Sequence, residues 1–290
     1  MSWTRYDAAR MTQVPDEIPA PLLARPIDLS HAVARAITES KRFPESELTR
    51  PEAVRDVAML LVLTLGYMTA LLSTGLPMML VEWLPEVGPL LPAFINGVIS
   101  MGAVALLLRH RRQTIGTIGL SRWRWQWLGV GILAVPACYA GGAVSNVLYT
   151  LATSRSFVEF VREREGFLTG ISDIPLWLIG VLSIFVGMYE EILFRGFLLT
   201  RLRALSRGVV MPVVLSSAIF GSLHFSQGVI GMCQTAVVGL VLAMVAVRTR
   251  SLWPCMIAHA LIDSISLVMA GLLSEDIQKF LHEVASQPAG

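Results

Sequence analysis

Long runs of apolar residues, separated by short polar connectors, dominate the chain after residue 55. A helix needs about twenty mostly apolar residues to cross the hydrocarbon core of a bilayer. Judged by that length, the runs predict about seven spans, with a range of about six to eight. Their approximate limits are 57–80, 90–108, 128–151, 174–200, 209–225, 229–247 and 252–273. The predicted fold class is therefore all-α, a polytopic bundle of membrane helices.

The chain before the first run is polar and is interrupted by several prolines. No apolar core follows a basic start within its first thirty residues, so we do not expect a cleaved signal peptide. We interpret 1–55 as a cytoplasmic N-terminal tail in which 28–39 could form a short amphipathic helix. Behind it we expect N-terminal transmembrane helices at 56–174, a functional core at 175–273 and a polar C-terminal tail at 274–290.

Composition agrees with a membrane protein, because 54% of the residues are hydrophobic and only 15% are charged. The formal net charge of +2 is too small to indicate a nucleic-acid partner. Cys138, Cys233 and Cys255 all lie in apolar runs without a CxxC spacing. This pattern indicates neither a disulfide framework nor a thiolate metal site, and we expect all three to be packing residues.

Arginines are concentrated in alternate connectors, which indicates an orientation. The basic segments are 1–55, 109–127, 201–207 and 248–250. The connectors at 81–89 and 226–228 carry no Arg or Lys. Seven spans with a cytoplasmic N-terminus place every basic connector on the inner side, as the positive-inside rule requires. In 122–127 three tryptophans alternate with polar or basic residues, which predicts a segment lying at the membrane interface.

Three charged residues interrupt the fourth apolar run: Glu190, Glu191 and Arg195. A charge at the centre of a membrane helix costs roughly 2.5–3.5 kcal/mol on insertion scales, so it normally faces protein or a wet cavity. Glu191 and Arg195 are four residues apart in the order that favours a helical ion pair. Consecutive helix residues point about 100° apart, so an arginine paired with Glu191 does not automatically reach Glu190. We infer that Arg195 holds Glu191 and that Glu190 is left for chemistry.

Further ionisable residues follow in the later runs. Phe220 and His224 share a helix face through their spacing of four, as do His259 and Asp263. Each alone fits a structural role, such as a buried histidine bonded to a carbonyl or a helix staple. Together with Glu190 they favour a functional site, since ionisable residues inside a membrane are functional by default.

The chemistry that this set suits is the activation of water. A carboxylate in a low-dielectric pocket takes up protons more readily than in water and can act as a general base near neutral pH. A neighbouring histidine can share that role or protonate a leaving amine. A second histidine, with an aspartate fixing its tautomer, can donate to the oxyanion formed on a scissile carbonyl.

Other intramembrane chemistries have signatures that this sequence lacks. There is no HExxH zinc motif, no Gly-x-Gly-Asp and no Gly-x-Ser-x-Gly elbow, although Ser222 lies two residues from His224. A zinc site formed by Glu190, His224 and His259 remains an alternative, with three ligands and one open position. If all helices were straight, Glu190 would lie nearer the inner face and His224 nearer the outer one. We therefore expect a broken or re-entrant fifth segment, which a cavity can accommodate.

Three motifs carry a resemblance to a known family. These are Glu190-Glu191-x-x-x-Arg195, Phe220-x-x-x-His224 and His259-x-x-x-Asp263. In order and spacing they resemble the CAAX protease and bacteriocin-processing (CPBP) family of intramembrane glutamic endopeptidases, which includes the type II CAAX prenyl endopeptidases. The resemblance covers about 175–273. Asp263 stands where the prenyl-processing members carry Asn.

The resemblance implies roles for these residues. Glu190 would activate water with His224, and His259 with Asp263 would stabilise the oxyanion, while Glu191, Arg195 and Phe220 would support the site. It implies a bilayer environment, a membrane-anchored or lipid-proximal peptide substrate and no cofactor. We expect an integral protein of a bacterial inner (cytoplasmic) membrane.

Two other classes of function remain open at this point. One is a catalytically inactive membrane scaffold or immunity-type protein on the same fold. The other is a proton-coupled transporter, which predicts internal repeats; the two halves of the sequence show none.

Overall fold

The computed structural model describes residues 48–75, 79, 82–83, 91–154 and 174–286. Within these ranges the chain forms seven helices and no strand, which confirms the all-α prediction. The helices are α1 (Arg50–Ser73), α2 (Leu91–His110), α3 (Gln126–Thr153), α4 (Leu176–Leu205), α5 (Val210–Ser222), α6 (Gly228–Thr249) and α7 (Trp253–Ser286). The predicted helix at 28–39 and the link at 155–173 lie outside the described residues.

The seven helices coincide with the seven predicted apolar runs. In the described part of the chain, five stretches are long and apolar enough to cross a membrane: Leu91–His110, Gln126–Thr153, Leu176–Leu205, Phe225–Thr249 and Trp253–Leu273. Helix α5 is apolar but has only 13 residues, and α1 carries four charged residues among its first seven. Helix α7 continues to Ser286, through much of the segment predicted as a C-terminal tail. The chain is an integral membrane protein built as a polytopic helical bundle.

Glycines allow the closest approaches between helices of the core. Helix α7 packs against both α3 and α4, and α6 packs against both α5 and α3. A Cβ atom at Gly187 would lie 3.0 Å from the backbone N of Ala260, where α4 meets α7. At Gly221 it would lie 2.5 Å from the carbonyl O of Met232, where α5 meets α6. Small residues at such contacts are typical of membrane helices, which associate by close packing rather than by the hydrophobic effect.

No break interrupts α5, but at 13 residues it is shorter than the roughly twenty needed to cross a bilayer, so a re-entrant fifth segment stays a prediction. Glu190 lies fifteen residues before the end of α4 at Leu205, and His224 lies fourteen residues after the start of α5 at Val210. At 1.5 Å per residue both are about 21–23 Å from the connector that joins the two helices. Two straight antiparallel helices therefore suffice to bring Glu190 and His224 to the same level.

The Arg/Trp segment packs against the start of α7. The ring of Trp123 lies edge-on to those of Trp125 and Trp253, with centroid distances of 5.8 and 5.4 Å. The indole N–H of Trp253 donates to the carbonyl O of Ser121 at 2.8 Å. Trp125 is 79% exposed. Location of this segment at the membrane interface stays a prediction.

A buried charge cluster joins α1 and α4 to the segment after α2. The side chain of Asp56, on α1, is fully buried. Its Oδ1 accepts from Arg111 Nε and Nη2 at 3.0 and 2.8 Å, and its Oδ2 accepts from Arg201 Nε at 3.4 Å. Arg201 Nη2 also donates to Gln113 Oε1 at 2.6 Å, and Glu52 binds the remaining side of Arg111. Asp56 thus contacts both guanidinium groups, and Glu52 shares the compensation of Arg111.

Replacement of Asp56 by Asn should lower the free energy of unfolding by about 3–5 kcal/mol, because it leaves two arginines without their buried counter-charge. Thermal unfolding of the purified protein in detergent measures the loss. The matched control is Glu52→Gln, which removes the more exposed carboxylate on the same arginine and should have a much smaller effect. Equal losses in the two variants would contradict the importance given to Asp56.

Candidate active site

Glu191 is the fixed point of the predicted site. Its side chain is fully buried, and its Oε1 accepts hydrogen bonds from Arg195 Nη1 at 2.6 Å and from His259 Nδ1 at 2.7 Å. Burial of a carboxylate is costly unless a cation and hydrogen-bond donors accompany it. Both conditions are met by these two partners. Glu191 therefore anchors α4 to α7 and orients the imidazole of His259.

The helix changes its geometry directly after the glutamate pair. Helix α4 is an α-helix from Leu176 to Glu191, a π-helix over Ile192–Leu198 and an α-helix again over Leu199–Leu205. Wide π turns are rare and are found mostly at functional sites. The wide turn contains Arg195, so the arginine that neutralises Glu191 projects from the irregular part of the helix.

Arg195 is enclosed by two other helices. Its Cζ lies 4.2 Å from the ring centroid of Phe220 on α5, a cation–π contact in a buried setting. On α6, a Cβ atom at Gly239 would lie 3.0 Å from Arg195 Nη2, so only glycine leaves the guanidinium its space. The ring of Phe220 also packs against His224 and His259, with centroid distances of 4.8 and 5.9 Å. Phe220 is thus the apolar wall behind both histidines.

Glu190 has a different environment from its neighbour. Its Oε1 accepts a hydrogen bond from the phenol of Tyr189 at 3.1 Å. Its Oε2 lies 3.6 Å from His259 Nε2, which is longer than a hydrogen bond. Among the described residues, this buried oxygen has no hydrogen-bond partner. Glu191 Oε2 is likewise buried without a partner among the described residues, so the two glutamates differ in the groups bonded to Oε1: an arginine and a histidine for Glu191, and a phenol for Glu190.

His259 lies among three carboxyl groups. Its Nδ1 faces Glu191, while its Nε2 faces Glu190 Oε2 and Asp263 Oδ2, the latter at 3.5 Å. We expected Asp263 to fix the tautomer of this ring. The short contact is instead the one between Nδ1 and Glu191. Asp263 lies beside the other nitrogen, which is the one free to meet a substrate.

His224 follows the last residues of α5 and is half-buried. Its Nδ1 is 2.8 Å from the carbonyl O of Phe220. A carbonyl oxygen only accepts hydrogen bonds, so Nδ1 carries the proton. In the neutral ring Nε2 then has the lone pair and can act as a base.

Two cavities meet at His224. One, of about 230 Å³, is bordered by Glu190 and Tyr189. The other, of about 180 Å³, is bordered by His259 and Asp263. The side chain of His224 borders both, and Glu190 borders only the first. Five of the seven residues singled out in the sequence therefore line one cavity or the other, while Glu191 and Arg195 line neither.

The sequence did not point to Tyr189 or to the bond between His259 and Glu191. Tyr189 adjoins the motif, but its hydrogen bond to the next residue depends on rotamers that spacing does not specify. His259 and Glu191 are 68 residues apart in the chain. In the described ranges, no three His, Cys, Asp or Glu side chains are arranged to hold a metal ion.

Removal of the positive charge of Arg195 alone should lower the stability of the fold more than removal of the charges of both Arg195 and Glu191. Arg195→Met leaves a buried, unpaired carboxylate and should cost about 3–5 kcal/mol of unfolding free energy. The double variant Arg195→Met/Glu191→Gln removes the charge that needs compensation and should regain part of that loss. Thermal unfolding in detergent measures both, with Arg248→Met, at an exposed position of α6, as the control. A double variant less stable than Arg195→Met would rule out the pairing.

The comparisons with known proteins bear on the same segment. Residues 172–265 match the family model described as Rce1-like, type II CAAX prenyl endopeptidase. No curated protein and no solved structure matches the chain. The matched residues include both glutamates, Arg195, both histidines and Asp263. The match confirms the resemblance that the three motifs predicted, and it covers about a third of the chain.

Proposed function

We propose that this chain is a glutamic intramembrane endopeptidase that hydrolyses a peptide bond of a membrane-associated substrate. The single observation that carries the proposal is the contrast within the glutamate pair. Glu191 is fully buried and bonded to Arg195 and His259, whereas Glu190 has the Tyr189 phenol as its hydrogen-bond partner and borders a cavity. A carboxylate in that condition is suited to take a proton from water.

The reaction would begin with a water molecule between Glu190 and His224. Glu190 takes one proton as general base, with His224 Nε2 as a second acceptor, and the resulting hydroxide adds to the scissile carbonyl carbon. The carbonyl π electrons move to the oxygen and form an oxyanion. When the tetrahedral intermediate collapses, the C–N bond breaks and the proton held by the base passes to the leaving amine. The products are a carboxylic acid and an amine, so no cofactor is consumed.

His259 is the candidate donor to the oxyanion. When the ring carries two protons, Nδ1–H is directed to Glu191 and Nε2–H is free for the substrate oxygen. Asp263, 3.5 Å from Nε2, and Glu190, 3.6 Å from it, partly compensate that positive charge. A donor held in place before the reaction stabilises a developing oxyanion more than water does, because no reorganisation is needed.

The substrate and location follow from the family and the apolar helices. We propose a membrane-anchored or lipid-proximal peptide substrate, in line with the CAAX type of the matching family. We further propose that the protein resides in a bacterial inner membrane with its N-terminus cytoplasmic, which places the basic connectors inside.

The first test is cleavage of candidate membrane substrates by purified wild-type protein and by Glu190→Gln. The substitution preserves the shape of the side chain and removes the base, so the rate should fall by about 10²–10⁴-fold. Ser222→Ala is the matched control. It removes a hydroxyl two residues from His224, whose bond goes to the carbonyl of Ile219, and it should leave cleavage unchanged.

Each protein is also assayed with a strong zinc chelator. Loss of activity on chelation and recovery with zinc would favour the alternative in which Glu190, His224 and His259 bind a metal. If no substrate is cut and Glu190→Gln still complements a deleted strain, the inactive scaffold or immunity-type function replaces the protease.

A further inference from the structure

The cavity beside Glu190 has a wall that lies outside the catalytic motifs. Its polar lining includes Thr64 and Thr69 from α1, Asn96 from α2 and Tyr189 from α4. Helices α1 and α2 precede the segment that matches the protease family. No role in the proposed reaction has been assigned to their side chains so far.

The size of this cavity suits water, and polar groups lie on two sides of its largely apolar lining. Water needs roughly 30 Å³ per molecule and two to four polar partners. At about 230 Å³ the cavity has room for several molecules. The two threonine hydroxyls and the Asn96 amide supply donors and acceptors on one side, and Glu190 and His224 supply them on the other. The rest of the lining is apolar and includes Leu193, Phe194 and Leu223, so water in this cavity would gather at the polar groups beside Glu190.

The surroundings of Glu190 favour a bound water molecule. Its Oε2 is buried without a hydrogen-bond partner among the residues the structure describes. A buried carboxylate oxygen in that state is costly, and buried polar groups in proteins are nearly always paired with protein or with ordered water. The cavity that Glu190 borders is the adjacent space where such water can reside.

The second cavity is separated from the first by His224. It contains His259 and Asp263 but not Glu190, and further polar groups come from Tyr139 and Gln227. Since His259 is the candidate oxyanion donor, the scissile carbonyl belongs on this side. Water and peptide would then approach the catalytic groups from opposite sides of one histidine ring.

We infer that the cavity lined by Thr64, Thr69 and Asn96 is a hydration site that supplies the hydrolytic water to Glu190. The cavity on the far side of His224 receives the peptide. Hydration of the first cavity is independent of the protease function, whereas use of that water in hydrolysis rests on the function proposed above.

Hydration is tested by the reactivity of introduced cysteines. Thr64→Cys and Leu63→Cys are made in a Cys233→Ser background, which removes the exposed native thiol. The two positions are consecutive on α1 and so lie at nearly the same depth, but Thr64 borders the cavity and Leu63 is a 44% exposed apolar residue. The protein is reconstituted in liposomes and treated with a water-soluble, charged thiosulfonate reagent, and labelling is followed by mass spectrometry.

A thiol reacts as the thiolate, which forms in contact with water and not in hydrocarbon. We expect labelling at Thr64→Cys to be at least about tenfold faster than at Leu63→Cys. The parent Cys233→Ser protein gives the background from the two buried native cysteines. Equal rates, or faster labelling at Leu63→Cys, would overturn the hydration site whatever the protein's activity.

The supply of water to the reaction is tested by kinetics. Asn96→Leu removes a polar partner from the hydrated cavity and should lower kcat by about tenfold with KM unchanged, because the peptide binds elsewhere. Asn96→Ser keeps a polar group and should retain most of the wild-type kcat. A thermal unfolding curve for each variant separates this effect from a loss of folding.

The outcomes distinguish the two proposals. Fast labelling of Thr64→Cys with an unchanged kcat in Asn96→Leu would overturn the supply role and leave the protease intact. A raised KM with unchanged kcat would place the peptide in this cavity and overturn the division between the two. If Glu190→Gln cleaves as well as wild type, the proposed function fails, and only the labelling result then decides the hydration site.

Discussion

The need to compensate a charge buried in an apolar interior organises this protein. Glu191 has no exposed surface, and its two partners come from its own helix and from α7. Arg195 in turn lies over the ring of Phe220 on α5 and beside Gly239 on α6. One carboxylate thereby fixes the relative positions of four helices. Were its charge left unpaired, the cost would exceed what a few packing contacts could offset.

The same arrangement explains how two adjacent glutamates acquire different tasks. Because consecutive helix residues point about 100° apart, only Glu191 pairs with Arg195 and with Nδ1 of His259, while Glu190 lies near Nε2 of the same ring. Glu190 also turns to Tyr189 and to a cavity. Glu191 is held in place and Glu190 is available for chemistry because the two residues, although adjacent in the chain, point in different directions.

Hydropathy and residue spacing predicted the number of helices and the pairing of Glu191 with Arg195. The apolar runs gave seven helices close to their observed limits, and the interval of four between Glu191 and Arg195 indicated a contact that lies at 2.6 Å. The contacts that spacing could not indicate join distant parts of the chain. Asp56 and Arg201 are 145 residues apart, and no periodicity relates them. Of the two forms expected for 209–225, a break is not found within α5, and a re-entrant segment stays a prediction.

The wide turn in α4 also affects how this helix relates to its neighbours. Glu191 contacts α7, and ten residues later Arg201 contacts α1. In a regular α-helix these two side chains would point only about 80° apart around the axis. Each residue in a wider turn advances by a smaller angle, so seven such residues shift the rotational phase of the second half of the helix. A single helix without a proline can therefore present its catalytic face to one partner helix and its anchoring arginine to another.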